Sequence, residues 1–237
     1  MLANKFHLAQ NAGMIQAHPA GYFITGSDTD VGKTYIGSEI VRQLCALGFN
    51  LETRKPAESG CKTNDSGQLL THDARALREA NNHQETIERI APYRFRTAVA
   101  PHRAARIEGS EIFLQNLVDA CSQDDPDSCL IVEGAGGFYS PLAENALNAD
   151  LASALQLPAI IVVRNRIGAV NQALLTVQAV ESRQLQVAAI ILNQVDREIE
   201  AAMNNTADLR ACCSHPVFNC DYQGNLEPVF EGIHGRV

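Results

Sequence analysis

One stretch of this sequence, an apolar segment followed by a glycine-containing loop and a helical pattern, leaves few folds open to the chain. Residues 22–24 are apolar and predict a short buried strand, the loop contains Gly26 and Gly32, and Lys33 and Thr34 open the helix. Backbone N–H groups in such a loop, together with the positive end of the helix, cradle phosphate oxygens. The stretch therefore predicts a phosphate-binding loop in which Lys33 contacts the terminal phosphates of a nucleotide and Thr34 ligates Mg²⁺.

The spacing of this loop differs from the usual G-x4-G-K-[S/T], because the first glycine stands at Gly26 and not one residue later, at Ser27. The loop also carries Asp28 and Asp30, whose negative charge would repel phosphate. We therefore expect these carboxylates to serve a cationic substrate, an amine or the metal. A plain turn with an accidental Gly-Lys-Thr is the alternative, and the agreement of strand, glycines and helix argues against it.

Composition argues against several classes of protein. The net charge of −8, from 27 acidic and 19 basic residues, argues against nucleic-acid binding and indicates a soluble protein. No apolar run approaches the ~20 residues of a membrane helix, so no membrane partner is expected. The seven cysteines form no C-x-x-C pair, which predicts reduced thiols and a cytoplasmic location.

Strands and helices alternate along the chain without a repeat or a linker, which predicts an α/β fold. The predicted strands are residues 22–24, 51–55, 129–132, 159–163, 187–192 and 215–218. The predicted helices are residues 35–47, 73–81, 110–122, 149–155, 169–182 and 199–210, with Thr71 and Ser110 as N-caps of the second and third. Residues 93–100 predict an irregular connection. We predict a single-domain P-loop fold over residues 21–237, with a mostly parallel β-sheet flanked by helices. Residues 1–20 would be a flexible N-terminal extension, or translation would start at Met14.

Polar residues follow the carboxyl ends of four of these strands, the edge at which parallel sheets bind ligands. The four clusters are residues 26–34, 55–59, 133–137 and 193–196. Because parallel strands end at the same edge, we predict that the clusters converge on one site.

Three side chains of this region are candidates for chemistry. Glu133 ends a buried strand where nucleotide hydrolases keep a second metal-binding carboxylate, so we predict that it binds Mg²⁺ beside Thr34. Asp73 is a candidate third oxygen ligand. Lys55 is placed to neutralise a transferring phosphoryl group or a small anionic substrate. The alternatives are that Glu133 is only a carboxylate in solvent, that Asp73 is only an acidic residue at a helix N-terminus, and that Lys55 is an ordinary surface lysine.

The cluster at residues 193–196 reads Asn-Gln-Val-Asp and suits recognition of a nucleotide base. Asn193 can hydrogen-bond the edge of a purine ring. Asp196 can read a guanine amino group, as in the N-K-x-D element of GTP-binding proteins. An Asx turn without a ligand is the alternative.

Taken together, these motifs resemble those of the dethiobiotin synthetases, ATP-dependent enzymes of biotin synthesis. The family's G-T-D-T-[E/D]-V-G-K-T stands here as residues 26–34, its K-P-x-x-S-G as residues 55–60, and its V-E-G-A-G-G unchanged as residues 132–137. Its D-A dipeptide matches Asp73 and Ala74, and residues 168–171 match the start of its substrate-binding helix. The long loop and its acids are family features. The resemblance spans about residues 21–196.

The resemblance implies an ATP- and Mg²⁺-dependent ring closure. The substrate 7,8-diaminononanoate takes up CO2 as an N-carbamate, which attacks the γ-phosphate of ATP to give a carbamic–phosphoric anhydride. The second amine then closes the ring of dethiobiotin and expels phosphate, with ADP as the other product. The resemblance also implies a homodimer with the substrate site at its interface.

The same resemblance assigns site residues. The implied catalytic residues are Lys33 and Lys55. The implied nucleotide-binding residues are Asp30, Val31, Gly32, Lys33, Thr34, Tyr35, Glu133, Gly134, Ala135, Gly136, Asn193 and Gln194. The implied substrate-binding residues are Thr29, Asp30, Ser59, Gly168, Ala169, Val170 and Asn171. The implied metal ligands are Thr34, Asp73 and Glu133.

The chain departs from the family after its last predicted strand, where the base-contacting element G-x-[I/V/L]-P has no counterpart in residues 216–222. Two other enzyme or ATPase classes share the loop. An amidotransferase-type synthetase acting on a cobyrinate-like acid would not require both Lys55 and Ser59. A partition-type ATPase would carry a second lysine early in the loop, where this chain has residues 27–30. A catalytically dead regulatory domain would have lost Lys33, Thr34 or Glu133.

Overall fold

A computed structural model describes residues 14–18, 20–198, 200 and 202–231. Its strands are β1 (Ile15–Gln16), β2 (Gly21–Gly26), β3 (Leu51–Arg54), β4 (Ala57–Glu58), β5 (Lys62–Thr63), β6 (Leu69–Leu70), β7 (Tyr93–Arg94), β8 (Cys129–Gly137), β9 (Pro141–Ala143), β10 (Ala146–Leu147), β11 (Ala159–Arg164), β12 (Val187–Asn193), β13 (Val217–Cys220) and β14 (Phe230–Glu231). Its helices are α1 (Lys33–Ala46), α2 (Asp73–Ala80), α3 (Ile87–Ile90), α4 (Pro101–Ile107), α5 (Leu114–Ala120), α6 (Asn148–Leu155), α7 (Ala169–Ser182) and α8 (Asn205–Cys212).

The centre of the fold is a six-stranded sheet in the order β13-β12-β11-β2-β8-β3, in which every neighbouring pair is parallel. The chain leaves β2 for the β3 edge, returns through β8, and then crosses β2 to β11. Strand β2 therefore lies where the direction of strand addition reverses, the usual ligand position in such sheets. The predicted single-domain α/β P-loop fold with a mostly parallel sheet is confirmed.

Both faces of the sheet are buried, because alternate side chains of each strand enter two separate apolar cores. Phe23 of β2 and Val132 of β8 pack in one core, whereas Ile24 and Ile131 pack in the other. Burying a side chain of this size contributes roughly 1.5–3 kcal/mol. This two-sided burial explains why the strands read as nearly continuous apolar runs. None of the helices among the described residues is both long and apolar enough to cross a bilayer.

The predicted N-cap at Thr71 is wrong. Its buried hydroxyl has no hydrogen-bond partner among the described residues, and α2 has no capping bond from the side chain of its N-cap residue, His72. The first N–H groups of α2 are instead bound by the carboxylate of Glu58, which is distant in sequence. A local capping pattern cannot predict such a partner.

The predicted N-cap at Ser110 is also wrong. Its hydroxyl donates to the carbonyl of Ala105 at the end of α4, a helix that sequence analysis did not predict. Pro101 starts α4, where its missing N–H costs nothing. Helix α5 begins only at Leu114 and ends at Ala120, inside the predicted 110–122.

The middle and the ends of the chain also differ from expectation. Within the predicted irregular stretch, β7 pairs with β4, and β5 pairs with β6 in the loop that precedes α2. Helix α8 starts at Asn205, not at 199, because the side chain of Asn204 caps it by accepting the N–H of Ala207. Residues 199 and 201 lie outside the described residues.

Part of the predicted flexible extension is paired. Strand β1 runs parallel to β14, and the N–H of Ile15 donates to the carbonyl of Val229 at 2.7 Å. The rings of Tyr22 and Phe230 lie 5.3 Å apart beneath this pair. Residues 1–13 lie outside the described residues, so the flexibility of the extension and the domain boundary at residue 20 stay predictions.

Candidate active site

The loop between β2 and α1 leads into a helix start that has no side-chain cap. The N-cap of α1 is Gly32, which has φ of 88° and offers no side chain to the first amides, and the first turn holds no acidic residue. A Cβ atom at Gly32 would lie 2.1 Å from the Nδ2 atom of Asn193, so only glycine fits there. The uncapped, positive end of a 14-residue helix is therefore open to an anion.

Asn193 ends β12 and supports this loop from below. Its buried side chain donates from Nδ2 to the carbonyl of Val31 at 2.9 Å. Gln194 follows and donates its backbone N–H to the carbonyl of Cys220. Asn193, the first of the two residues predicted to contact the base, thus also fixes the path of the phosphate-binding loop.

Asp196, the residue that suggested guanine recognition, has a partner of its own. Arg164 donates from Nε to Asp196 Oδ2 at 2.9 Å and from its Nη2 atom to the other carboxylate oxygen. This bidentate contact lowers the pKa of Asp196, chiefly through the hydrogen bonds from Arg164. Arg164 therefore competes with a base for the acceptor positions of this carboxylate.

Lys33 folds back over the loop. Its ammonium donates to the carbonyl of Asp28 at 3.0 Å, and the side chain is only 7% exposed. Burial, reinforced by the nearby charge of Lys55, lowers the pKa of Lys33 to about 8. The fold thus holds this ammonium in a place that lacks a full counter-charge.

A buried cluster lies beside it, after the end of β3 and at Glu133 in the middle of β8, which extends four residues beyond Glu133 to Gly137. The Nζ atom of Lys55 is 2.7 Å from Glu133 Oε1, 2.8 Å from Asp73 Oδ2 and 3.0 Å from the carbonyl of Gly134. The hydroxyl of Thr34 donates to Glu133 Oε1 at 2.8 Å. Strand, helix and loop residues that are far apart in sequence therefore meet at one point.

The charges of this cluster are strongly perturbed. Burial opposes ionisation of Lys55, but the carboxylates of Glu133 and Asp73 outweigh it and raise the pKa of Lys55. Burial also opposes ionisation of Asp73, yet Lys55 lowers the pKa of Asp73. For the fully enclosed Glu133, burial dominates over Lys55 and the pKa is raised. The carboxylates of Glu133 and Asp73 share the single ammonium of Lys55, so the binding of a further cation beside them would be favoured.

The same oxygens fit Mg²⁺. Thr34, Asp73 and Glu133 each supply a hard oxygen donor, and the Oε2 atom of Glu133 is buried without a hydrogen-bond partner in the described part of the chain. Within that part no three His, Cys, Asp or Glu side chains form a metal site by themselves. Mg²⁺ usually takes few protein ligands and completes its shell with phosphate and water oxygens. The donor set suits that mode of binding.

Most of the predicted site residues line one cavity of about 490 Å³. Its lining includes the predicted residues Thr29, Asp30, Gly32, Lys33, Thr34, Tyr35, Lys55, Ser59, Asp73, Glu133, Ala135 and Gly136. Val31, Gly134 and Asn193 are buried directly behind that surface. Three of the four clusters therefore line this cavity, whereas residues 193–196, Gln194 included, do not line it and reach it only through the support that Asn193 gives to Val31. The roles of the individual residues remain predictions.

The remaining candidates, residues 168–171, lie elsewhere, at the start of α7. Gly168 is the N-cap of α7 and carries no capping side chain. A second cavity of about 750 Å³ lies between α7 and the segment 137–141, and Ser27 and Asp28 of the loop form part of its wall. The phosphate loop thus separates two cavities.

Sequence reasoning missed two supporting residues. Asn148, fully buried at the start of α6, accepts the N–H of Ala135 and donates to the carbonyls of Ala135, Gly137 and Ser140. It fixes the glycine-rich end of β8. Glu58 lines the main cavity and binds the start of α2. Neither contact is local, so no spacing in the sequence marks it.

Comparison with known proteins now gives the family. An AAA domain family matches residues 20–220. ATP-dependent dethiobiotin synthetases are similar over most of the chain: that of Anaeromyxobacter dehalogenans is 42% identical over 75% of this chain and 78% of its own, and that of Rhodopirellula baltica is 33% identical over 91% and 89%. The chain belongs to the ATP-dependent dethiobiotin synthetase family. The predicted family and its enzyme class, an ATP-dependent ligase, are confirmed.

The dethiobiotin synthetase of Vesicomyosocius okutanii is likewise 40% identical over 74% of this chain and 79% of its own. Among solved structures, the signal recognition particle receptor FtsY from Elizabethkingia anophelis aligns with 95% of this chain and 66% of its own. Its identity of 13% and TM-score of 0.49 are too low to indicate function.

Proposed function

We propose that this chain converts 7,8-diaminononanoate, CO2 and ATP into dethiobiotin, ADP and phosphate. The observation that carries the proposal is Lys55, which lies 2.7 Å from Glu133 and 2.8 Å from Asp73 in the cavity that also holds Lys33. Two ammonium groups beside one uncapped helix end suit a reaction that brings a carbamate and a γ-phosphate together. Family membership supports the same reaction.

The two lysines would act by positioning and charge neutralisation. One amine of the substrate adds to CO2 and loses a proton, which gives a carbamate. A carbamate oxygen then attacks the γ-phosphorus, and ADP leaves. Lys55 would stabilise the carbamate and Lys33 the transferring phosphoryl group. The second amine then attacks the carbamoyl carbon, loses its proton and expels phosphate as the ring closes.

Mg²⁺ would be held by Thr34, Asp73 and Glu133 and would neutralise phosphate charge. The N–H groups at the start of α1 would bind the phosphates themselves. Lys33 would exchange its contact with the carbonyl of Asp28 for one with phosphate, and Asn193 and Gln194 would contact the base.

For the diamine, Thr29, Asp30 and Ser59 are the proposed contacts in the main cavity. The distal carboxylate of the diamine would contact residues 168–171, at the uncapped start of α7, in a second copy of the chain. The complete substrate site would therefore require a homodimer. Ile167 beside it is 79% exposed and Leu175 is 58% exposed, which is typical of a surface that another chain covers. Sedimentation velocity tests this assembly, and a monomer at assay concentrations would contradict it. A cytoplasmic location remains a prediction.

The experiment is phosphate release by the full chain with Mg²⁺, ATP and bicarbonate, with and without 7,8-diaminononanoate. We expect release only with the diamine, and a product whose mass shows one carbonyl in place of two hydrogens. A monoamine analogue is the matched control, because it can form a carbamate but cannot close the ring.

If phosphate release does not depend on the diamine, the chain is a nucleotide-hydrolysing P-loop protein and the assignment of 7,8-diaminononanoate as substrate is wrong. Glutamine with a cobyrinate-like acid would then test the amidotransferase-type alternative. Replacing ATP with CTP or GTP in the same assay would measure the choice of nucleotide.

A further inference from the structure

The buried carboxylate of Glu58 accepts hydrogen bonds from three backbone N–H groups. Its Oε1 atom accepts the N–H of His72 at 2.6 Å and of Asp73 at 3.0 Å, and its Oε2 atom accepts the N–H of Ala74 at 3.1 Å. The residue is only 4% exposed. Its charge lies at the positive end of α2, where an anion is stabilised by the helix dipole and by charge-assisted hydrogen bonds.

Among the described residues, no other side chain binds these amides. The N-cap residue His72 makes no capping bond, and its imidazole instead contacts the carboxylate of Asp73. The hydroxyl of Thr71 has no partner. Four N–H groups at the start of a helix lack intrahelical partners, so the placement of this helix start depends on Glu58.

Glu58 is itself fixed by the strand that carries it. Strand β4 pairs with β7, where Glu58 lies opposite Arg94, and the carbonyl of Glu58 accepts the N–H of Phe95 at 2.8 Å. Three residues before it in sequence is Lys55. One short segment therefore carries Lys55 and also holds the backbone of Asp73, whose carboxylate is 2.8 Å from the Lys55 ammonium.

We propose that Glu58 is a positioning residue, which holds Asp73 so that its carboxylate reaches both Lys55 and Mg²⁺. This inference rests on the proposed function for the metal, since it takes Asp73 as a ligand. A direct contact of Glu58 with metal or diamine fits the geometry less well, because N–H groups take three of the about four acceptor positions of its carboxylate. Glu58 thus acts on the reaction through Asp73.

The test uses Glu58→Gln, which keeps the shape of the side chain but turns one acceptor into an NH₂ group. Loss of a residue that orients a metal ligand typically costs 10–100-fold in metal affinity or activity. We expect the Mg²⁺ concentration for half-maximal phosphate release to rise by about that factor, with a smaller change in the KM for ATP at saturating Mg²⁺. Amide hydrogen exchange at residues 72–74 should become faster.

Glu108→Ala is the matched control. Glu108 also accepts a backbone N–H, from Thr97 at 2.8 Å, together with the Thr97 hydroxyl at 3.0 Å. It does not line the main cavity. This variant should keep the Mg²⁺ requirement of the parent, and unfolding curves of both variants would separate a local effect from a general loss of stability.

A double-mutant cycle with Asp73→Asn decides whether Glu58 acts through Asp73. If it does, Glu58→Gln adds no further rise in the Mg²⁺ requirement once Asp73 is changed. Fully additive effects would instead indicate that Glu58 contacts the metal or substrate itself, and would overturn the proposal. Unchanged exchange at residues 72–74 together with an unchanged Mg²⁺ requirement would do the same.

Two further measurements of the role of Glu58 do not need turnover. Calorimetric binding of Mg²⁺ with a non-hydrolysable ATP analogue and amide exchange both report on Glu58 directly. If the parent chain releases no phosphate with the diamine, the proposed function fails, and these measurements still decide the role of Glu58.

Discussion

Lys33 and Lys55 line the same cavity and are both buried, yet their surroundings shift their pKa values in opposite directions. Lys55 lies between two carboxylates, which raise its pKa. Among the described residues, the ammonium of Lys33 has one hydrogen-bond partner, the carbonyl of Asp28, and burial lowers its pKa to about 8. In the part of the chain that the structure describes, Lys55 is in direct contact with carboxylates, whereas Lys33 is not.

The difference separates a fixed part of the site from an adaptable part. Lys55 is held by strand-end and helix-start residues and is in place before any ligand binds. Lys33 is carried by the loop, and an anionic ligand would supply the charge that it lacks. Binding of a phosphate group and the folded conformation of the loop would therefore stabilise each other.

The largest expected effect is that of Lys55→Ala. It leaves the carboxylates of Glu133 and Asp73 buried without a cation, which costs about 3–5 kcal/mol of stability. It also removes a preorganised charge, so we expect turnover to fall roughly 10³-fold while ATP binding is retained.

Steady-state phosphate release and calorimetric ATP titration measure the two effects of Lys55→Ala. Lys62→Ala is the matched control, because Lys62 is an exposed lysine on β5. Turnover that stays within tenfold of the parent chain would place Lys55 outside the mechanism and remove the contrast between the two lysines.

The next effect concerns stability and pH. The pKa of Lys33 is about 8 in the fold and 10.5 in the unfolded chain, so the folded state disfavours the charged form. The free energy of unfolding should therefore rise with pH between about 8 and 10.5, by up to about 3 kcal/mol. Lys33→Met should lose this rise and be more stable than the parent chain near neutral pH.

Denaturant unfolding without nucleotide, at several pH values across that window, measures the difference between the two chains. Taking the difference cancels the other groups that titrate there. Lys55 contributes no such rise, because its raised pKa keeps it charged throughout. If the free energy of unfolding has the same slope against pH in Lys33→Met and in the parent chain, the lowered pKa of Lys33 is contradicted.

The smallest effect is that of Asn193→Ala, which removes the support of the phosphate loop. The carbonyl of Val31 would lose its hydrogen bond, at a cost of about 1–3 kcal/mol. Because bound phosphate would restore the loop and the position of Lys33 at saturating ATP, we expect weaker ATP binding with nearly unchanged turnover at saturation. A fall in turnover as large as that of Lys55→Ala would show that the two parts of the site are not separable.

How far the sequence predicts this molecule depends on whether a contact is local. Helix α7 spans Ala169–Ser182 as predicted, because its apolar spacing and preceding glycine are local signals. The convergence of the strand-end clusters could be predicted as well, since it follows from parallel topology. Local pattern and shared topology together account for the sheet and for most of the cavity lining.

The supports of the site could not be predicted. Glu58 binds amides fourteen to sixteen residues further along the chain, and Asn148 binds the glycine-rich end of β8 from a later helix. Such contacts depend on the finished fold. The wrong N-cap at Thr71 has the same origin, because a distant carboxylate replaced the neighbouring hydroxyl.

The ion pair between Arg164 and Asp196 bears on how base selectivity could change among related enzymes. Arg164 donates to both oxygens of Asp196, which leaves fewer acceptor positions for the amino group of a guanine base. The two side chains are 31% and 41% exposed, and an exposed pair of this kind contributes little to stability. Replacing Arg164 would free Asp196 at little cost to the fold. Should Asp196 contact the base, as the Asn-Gln-Val-Asp cluster predicts, the preferred nucleotide could therefore change by substitution at Arg164 without loss of stability.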